Sequence, residues 1–192
     1  MPHLLSVQVG SARRIRVGER SILSAYGKQP VPGAVPVMPL GLLGDEQADL
    51  SIHGGLEKAV YAYPSEHYAW WQAARRQAGL GDIDDSLPHG SLGENLTLEG
   101  LLETGVWAGD VLKFPCCELR VTLPREPCHK FNAAMGFGRA SRLMAHSGFC
   151  GFYLAVQTPG TLRAGDAFEV IAGRRSVGIP ALFAAKLSKH LR

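Results

Sequence analysis

The stretch PREPCHKFN, residues 124–132, places a cysteine where its neighbours would set its charge state. Cys128 follows Arg125 in this loop and is succeeded directly by His129 and Lys130. Cationic groups close to a thiol favour the thiolate, the form that attacks electrophiles and binds soft metals. Cys128 is therefore a candidate nucleophile or metal ligand. These nine residues leave a half-buried structural cysteine in a turn as the alternative. Two further loops carry suitable polar groups. In HGGLEK, residues 53–58, His53 and Lys58 flank Gly54 and Gly55. Glycines let successive backbone N–H groups approach a ligand and form an anion nest, although a plain surface turn has the same composition. In SLGENLTLEGL, residues 91–101, Gly93, Glu94 and Asn95 combine a tight turn with a carboxylate and an amide. Such side chains also commonly bond their own backbone. Each loop is a weak signal alone; the three together in one small chain are much less expected by chance.

Such loops need a scaffold of short elements. Twenty-three glycines and twelve prolines in 192 residues break the chain into short pieces, which favours strands and turns over a helical bundle. LLSVQVG (4–10) alternates as a strand and RRIRVGE (13–19) alternates after Gly10, so together they predict a hairpin opening the fold. In the segment 28–50, Pro30, Pro32, Pro36 and Pro39 exclude a helix and predict loop or edge strand. LSIHGG (50–55) and KAVYAY (58–63) are two short extended pieces around the Gly54-Gly55 turn. PSEHYAWWQAARRQAG (64–79) predicts a helix, with proline in its first turn, Glu66 at its positive end and Gly79 as its stop. Its aromatic residues read as core packing rather than ligand stacking. GDIDDSLPHGSLG (81–93) lacks the spacing of a calcium loop and reads as a solvated one. WAGDVLKF (107–114) and RAGDAFEV (163–170) share an Ala-Gly-Asp turn leading into a strand. CELRVTL and GFYLAVQT are further strands, and between them KFNAAMGFGRASRLMAHSG is helical, broken at Gly136 and Gly138. This pattern predicts a β-barrel or sandwich with helical inserts, not a βαβ sheet.

Composition narrows the function classes. Hydrophobic residues make up 46% of the chain and charged residues 19%, as in a soluble protein of one domain with at most a small appendage. The net charge of +3, with scattered basic residues, argues against nucleic acid. The start MPHLLSVQVG lacks signal-peptide character and no stretch is long enough to span a membrane, so a cytoplasmic location is expected. Cys116, Cys117, Cys128 and Cys150 then read as reduced thiols. Adjacent Cys116 and Cys117 would point to opposite faces of a strand, which disfavours structural zinc. With Cys150, they are expected to be small packing residues in or beside strands. GFGRAS does not match a dinucleotide-binding turn, and no phosphate-binding P-loop is present.

The blocks GDEQADLSIHGGLEKAVYAYPSEHYAWW (44–71), GENLTLEGL (93–101) and PREPCHKFN (124–132) occur in that order. They resemble the signature blocks of the MOSC family, the molybdenum cofactor sulfurase C-terminal domain proteins, in its YiiM-like branch. The resemblance runs from the first hairpin to about Gly178. It implies a mainly-β, closed barrel of the pyruvate-kinase-barrel type over residues 1–178, with a few peripheral helices and a short tail or helix over 179–192. It also implies an end pocket for the phosphate and Mo-dithiolene end of molybdenum cofactor, with Cys128 as the molybdenum ligand. His53, Gly54, Gly55, Lys58, Gly93, Glu94 and Asn95 would line that pocket, and Arg125 and Lys130 would add positive charge. The residue chemistry agrees, since a thiolate suits a soft metal and cations with glycine-rich backbone suit phosphate.

The implied activity is reduction of N-hydroxylated small molecules, such as hydroxylaminopurine-type base analogues, to amines. Cys128 would serve as ligand, and Glu94 or His53 would deliver a proton. The chain has no flavin, haem or iron–sulfur motif, so an external electron-donor protein is expected, and a homodimer is compatible. The alternative is a non-redox carrier of the cofactor or of sulfur, with a persulfide on Cys128. A structural barrel with an interaction role is a third reading. Longer members similar to YiiM carry a helical extension, whereas only IPALFAAKLSKHLR, one short basic amphipathic helix, follows Gly178 here.

Overall fold

Alternation along the chain becomes a set of short strands in the computed structural model, which describes residues 1–17, 20–47, 54–82 and 85–190. The first six strands are β1 (His3–Val9), β2 (Arg13–Val17), β3 (Arg20–Ser24), β4 (Gln29–Pro30), β5 (Val35–Met38) and β6 (Gly41–Leu42). β7 (Val60–Pro64) and β8 (Leu96–Glu99) flank helix α1 (Tyr68–Gln77). β9 (Val111–Lys113) and β10 (Glu118–Pro124) precede α2 (His129–Met135) and α3 (Ala140–Ser147). β11 (Phe152–Thr158), β12 (Gly160–Leu162), β13 (Glu169–Ile171) and α4 (Ile179–His190) follow.

The main sheet has eight strands in the order β13-β9-β10-β11-β7-β8-β1-β4. Its pairs are antiparallel except β7 with β8, which run parallel around α1. β12, β5 and β6 form a three-stranded sheet, and β2 with β3 a two-stranded one. The expected closed barrel is therefore corrected to an open, mixed sheet whose terminal strands are β13 and β4. The start of β1 meets the turn before β13 through an isolated bridge, His3 to Ala167, and not through a ladder. Short strands explain this. β4 has two residues, one of them a proline without an N–H, and β1 divides its outer edge between β4 at Gln8–Val9 and that turn.

The expected first hairpin also differs. β2 pairs with β3, while β1 pairs with β8 and β4. Alternation identifies a strand but not its partner. Leu4 and Val7 lie opposite Leu98 and Leu96 on β8, and all four are fully buried. The described part of the proline-rich segment is extended, as predicted, and supplies β4 and β6 at sheet edges, but β5 lies between β12 and β6 and is not an edge strand.

α1 follows the sequence signals. A 3-10 turn at Ser65–His67 leads into it, Tyr68, Trp71 and Ala74 face the core, and Gly79 follows at φ 77°. Trp71 is fully buried and its Nε1 donates to the Tyr63 hydroxyl at 2.6 Å. The two Ala-Gly-Asp turns are built alike. Asp110 Oδ2 accepts from the Trp107 N–H at 3.2 Å and Asp166 Oδ2 from the Arg163 N–H at 2.8 Å. The strands they launch, β9 and β13, pair with each other. α4 packs through buried Ile179 and Phe183, and its Lys186 pairs with Glu126 beside the cysteine loop.

Candidate functional site

β10 ends at Pro124 and delivers Arg125 into the interior. Arg125 as a whole is 5% exposed. Its Cζ lies 4.8 Å from the Tyr61 ring centroid, 5.0 Å from that of Tyr26 and 5.5 Å from that of Phe131. Nη1 donates to the Leu92 carbonyl at 2.7 Å, while Nε has no partner among the described residues. No carboxylate there forms an ion pair with Arg125. A buried charge without a counter-ion is costly, and cation–π contacts with three rings offset only part of that cost.

Arg125 lines a cleft together with Lys58, Lys130, Gly93 and Asn95. The remaining wall includes Tyr26, Lys28, Asp45, Tyr61 and Tyr153. Lys58 Nζ stands 5.7 Å from the Tyr153 ring, and Lys130 Nζ donates to the Leu23 carbonyl at 3.2 Å. Tyr61 and Tyr153 face each other in the register of β7 and β11. Burial raises both phenols above their ordinary pKa, with Arg125 opposing the shift at Tyr153, so both stay protonated. Lys28 pairs with Asp45, and burial lowers its pKa against the pull of that carboxylate. Asp45 also accepts from the Gly10 N–H and from Asn95 Nδ2, both at 2.9 Å. Asn95 Oδ1 accepts the Tyr61 N–H at 3.1 Å, so the amide ties β7 to the loop carrying Asp45. Among the described residues the cleft wall carries four cations, Lys28, Lys58, Arg125 and Lys130, and two carboxylates, Asp45 and Glu46.

The structure thus brings five of the expected residues, Lys58, Gly93, Asn95, Arg125 and Lys130, to one cleft. Others lie elsewhere. Glu94 is fully buried beneath the loop and accepts from the Gly90 N–H at 2.7 Å, the Leu92 N–H at 3.1 Å, Thr97 Oγ1 at 3.0 Å and the Tyr68 hydroxyl. Burial raises its pKa, opposed by those hydrogen bonds. A carboxylate with both oxygens engaged holds the loop in shape and does not face the cleft. Gly54 and Gly55 do not line the cleft; the Gly55 N–H donates to Gln47 Oε1 at 3.0 Å. His53 lies outside the described residues. Cys128 is half-buried at the residue before α2, near Tyr153, but it does not line the cleft.

The other thiols divide unevenly. Cys117 and Cys150 are buried, as expected of packing residues, but Cys116 is exposed, a correction that follows from its place on the turn between β9 and β10. Burial pushes Cys117 up to about 12 and Cys150 well above the ordinary thiol value. Among the described residues no three His, Cys, Asp or Glu side chains converge as a metal site, and no helix is long and apolar enough to cross a membrane. Tyr26, Lys28 and Asp45 were not legible as site residues. Tyr26 and Lys28 sit in a short connection between β3 and β4 with no motif to mark them, and Asp45, though inside the block 44–71, has nothing in sequence to set it apart from that block's other acidic residues.

The chain is thus an open mixed-sheet protein with an aromatic-walled cationic cleft near a half-buried cysteine. It belongs to the MOSC domain family, whose model matches residues 49–169. That family is associated with molybdenum cofactor. The chain is 32% identical to the uncharacterized protein YflK of Bacillus subtilis over 187 residues, covering 97% of this chain and 80% of YflK. It is 34% identical to protein YiiM of Escherichia coli over 149 residues, covering 78% of this chain and 64% of YiiM. A Gibberella moniliformis protein named reductase is 34% identical over 170 residues, 88% of this chain but 29% of that longer protein. Among solved structures, YiiM from Geobacillus stearothermophilus superposes with a TM-score of 0.76 at 25% identity, covering 100% of this chain and 87% of that one.

Proposed function

We propose that the chain binds molybdenum cofactor by its phosphate-bearing end in this cleft and serves as a reductase of N-hydroxylated compounds. The observation that carries this reading is Arg125, 5% exposed as a whole residue, without a carboxylate partner among the described residues, on the wall of a cleft that also holds Lys58 and Lys130. An oxyanion bound there would supply the missing counter-charge. The donor set fits the group: three cations for phosphate oxygens, aromatic walls for a flat ring system, and one cysteine nearby for a soft metal. When bound, the cofactor would supply the two electrons that, with two protons, convert a hydroxylamine to an amine and water. Arg125, Lys58 and Lys130 bind and orient it, Tyr61 and Tyr153 exclude water as neutral phenols, and Cys128 holds the metal. Glu94 acts by holding the Gly90–Asn95 loop, which leaves His53 as the candidate proton donor. Electrons come from an external donor protein. The relatives named YiiM and reductase support this reading.

The test is protein made in a host with and without cofactor synthesis, followed by molybdenum analysis and reduction of an N-hydroxylated purine with a chemical electron donor. Parent protein should carry molybdenum only from the competent host. Cys128→Ser should keep the parent's melting temperature and lose reduction. Folded parent without molybdenum, or full activity in Cys128→Ser, overturns the proposal; a persulfide on metal-free Cys128 would favour a sulfur carrier.

A further inference from the structure

Tyr26 stands between two cavities. It lines the cationic cleft and also a neighbouring cavity walled by Arg13, Arg75, Leu87, His89 and Met135. Its ring packs on the Arg125 guanidinium and lies 6.5 Å from the Phe131 ring, centroid to centroid. It also presses on the loop opposite: a Cβ added at Gly93 would come within 2.7 Å of Tyr26 Cε1. Yet the Tyr26 hydroxyl is buried and has no hydrogen-bond partner among the described residues, and the same holds for Nε of Arg125 beside it. Both atoms are closed to solvent. Two unpaired buried donors, on a ring and a guanidinium that pack together at 5.0 Å, are an unfavourable arrangement unless something else is meant to accept from them.

We propose that Tyr26 is a ligand-binding residue. An oxyanion entering the cleft shifts the ring towards the neighbouring cavity and accepts hydrogen bonds from the Tyr26 hydroxyl and the Arg125 guanidinium. The ligand chemistry is that of a phosphate monoester, carried either by the cofactor or by a nucleotide-like substrate. The inference rests on the cleft being the anion site of the proposed function, and it adds a binding residue on the β3–β4 connection, outside the three motif blocks.

The experiment is a titration of cofactor-free parent and Tyr26→Phe with inorganic phosphate at constant ionic strength, read by calorimetry, beside their melting temperatures without phosphate. Phenylalanine keeps the ring and removes one orphan hydroxyl, so the variant should melt at or slightly above the parent temperature. Its phosphate affinity should fall about tenfold, the loss of one hydrogen bond to a charged acceptor. Repeating the titration on cofactor-loaded parent separates the two sources: blocked binding assigns the site to the cofactor's phosphate, retained binding to a substrate's. Equal affinity in parent and Tyr26→Phe overturns the role of Tyr26 alone. Absence of phosphate binding in the parent overturns this inference together with the anion site beneath it.

Discussion

Replacing Glu94 by alanine should loosen the site although Glu94 does not touch the cleft. The carboxylate accepts the buried Gly90 and Leu92 N–H groups, and each orphaned amide costs about 1–3 kcal/mol. Thr97 and Tyr68 hydroxyls can turn to other acceptors, and removing a desolvated carboxylate returns part of the loss. The net expectation is roughly 3 kcal/mol, or about 6–12 °C in Tm for a chain of this size. The damage reaches the cleft because the Leu92 carbonyl anchors Arg125 Nη1, and Gly93 and Asn95 form part of the wall. Urea unfolding with hydrogen exchange at Gly90 and Leu92 measures both effects. Glu94→Gln keeps one acceptor oxygen and should lose about half as much. The reasoning fails if Glu94→Ala changes stability by less than about 0.5 kcal/mol, the range of a benign surface substitution. A Glu94→Gln variant with unchanged stability and exchange but no reduction would instead make Glu94 a proton donor.

Glu94 also predicts a pH dependence. Burial raises its folded pKa above 4.5, so the stability it contributes is complete below that value and is lost as pH rises through the folded pKa. The Tm of parent minus that of Glu94→Gln should therefore fall as pH rises above about 4.5, and a difference that grows instead would contradict the burial argument. Gly93→Ala must hold φ near 85° and push on the Tyr26 ring, so it should cost about 1–2 kcal/mol or more in urea unfolding and weaken phosphate binding. Native-state alkylation at pH 7, mapped by peptide, should modify Cys116 and Cys128 and spare Cys117 and Cys150, whose buried thiols hold their protons. Labelling of Cys150 before unfolding would refute that division. Cys150→Ser should cost stability through a buried hydroxyl while keeping activity per folded molecule, checked by paired Tm and rate measurements.

Local chemistry determined much of this protein in its sequence. Period and punctuation located α1, the break at Gly136, the twin Ala-Gly-Asp turns and the extended, non-helical character of the proline-rich segment, because each depends on a few neighbouring residues. The three motif blocks likewise pointed to Lys58, Gly93, Asn95, Arg125 and Lys130, which the structure gathers in one cleft. Tertiary structure alone decided the partner of β1, since a strand's alternation is silent about which apolar row will cover it. It also decided that the sheet stays open, because closure depends on how short edge strands meet across the fold. The same holds within the site. Glu94 and Asn95 are neighbours in one motif, yet the turn before β8 sends the carboxylate under the loop and leaves the amide on the cleft wall. Arg125 was expected in sequence to add positive charge to the pocket, and only packing against Phe131 of its own block and Tyr26 and Tyr61 from two distant segments buries it without a carboxylate partner among the described residues.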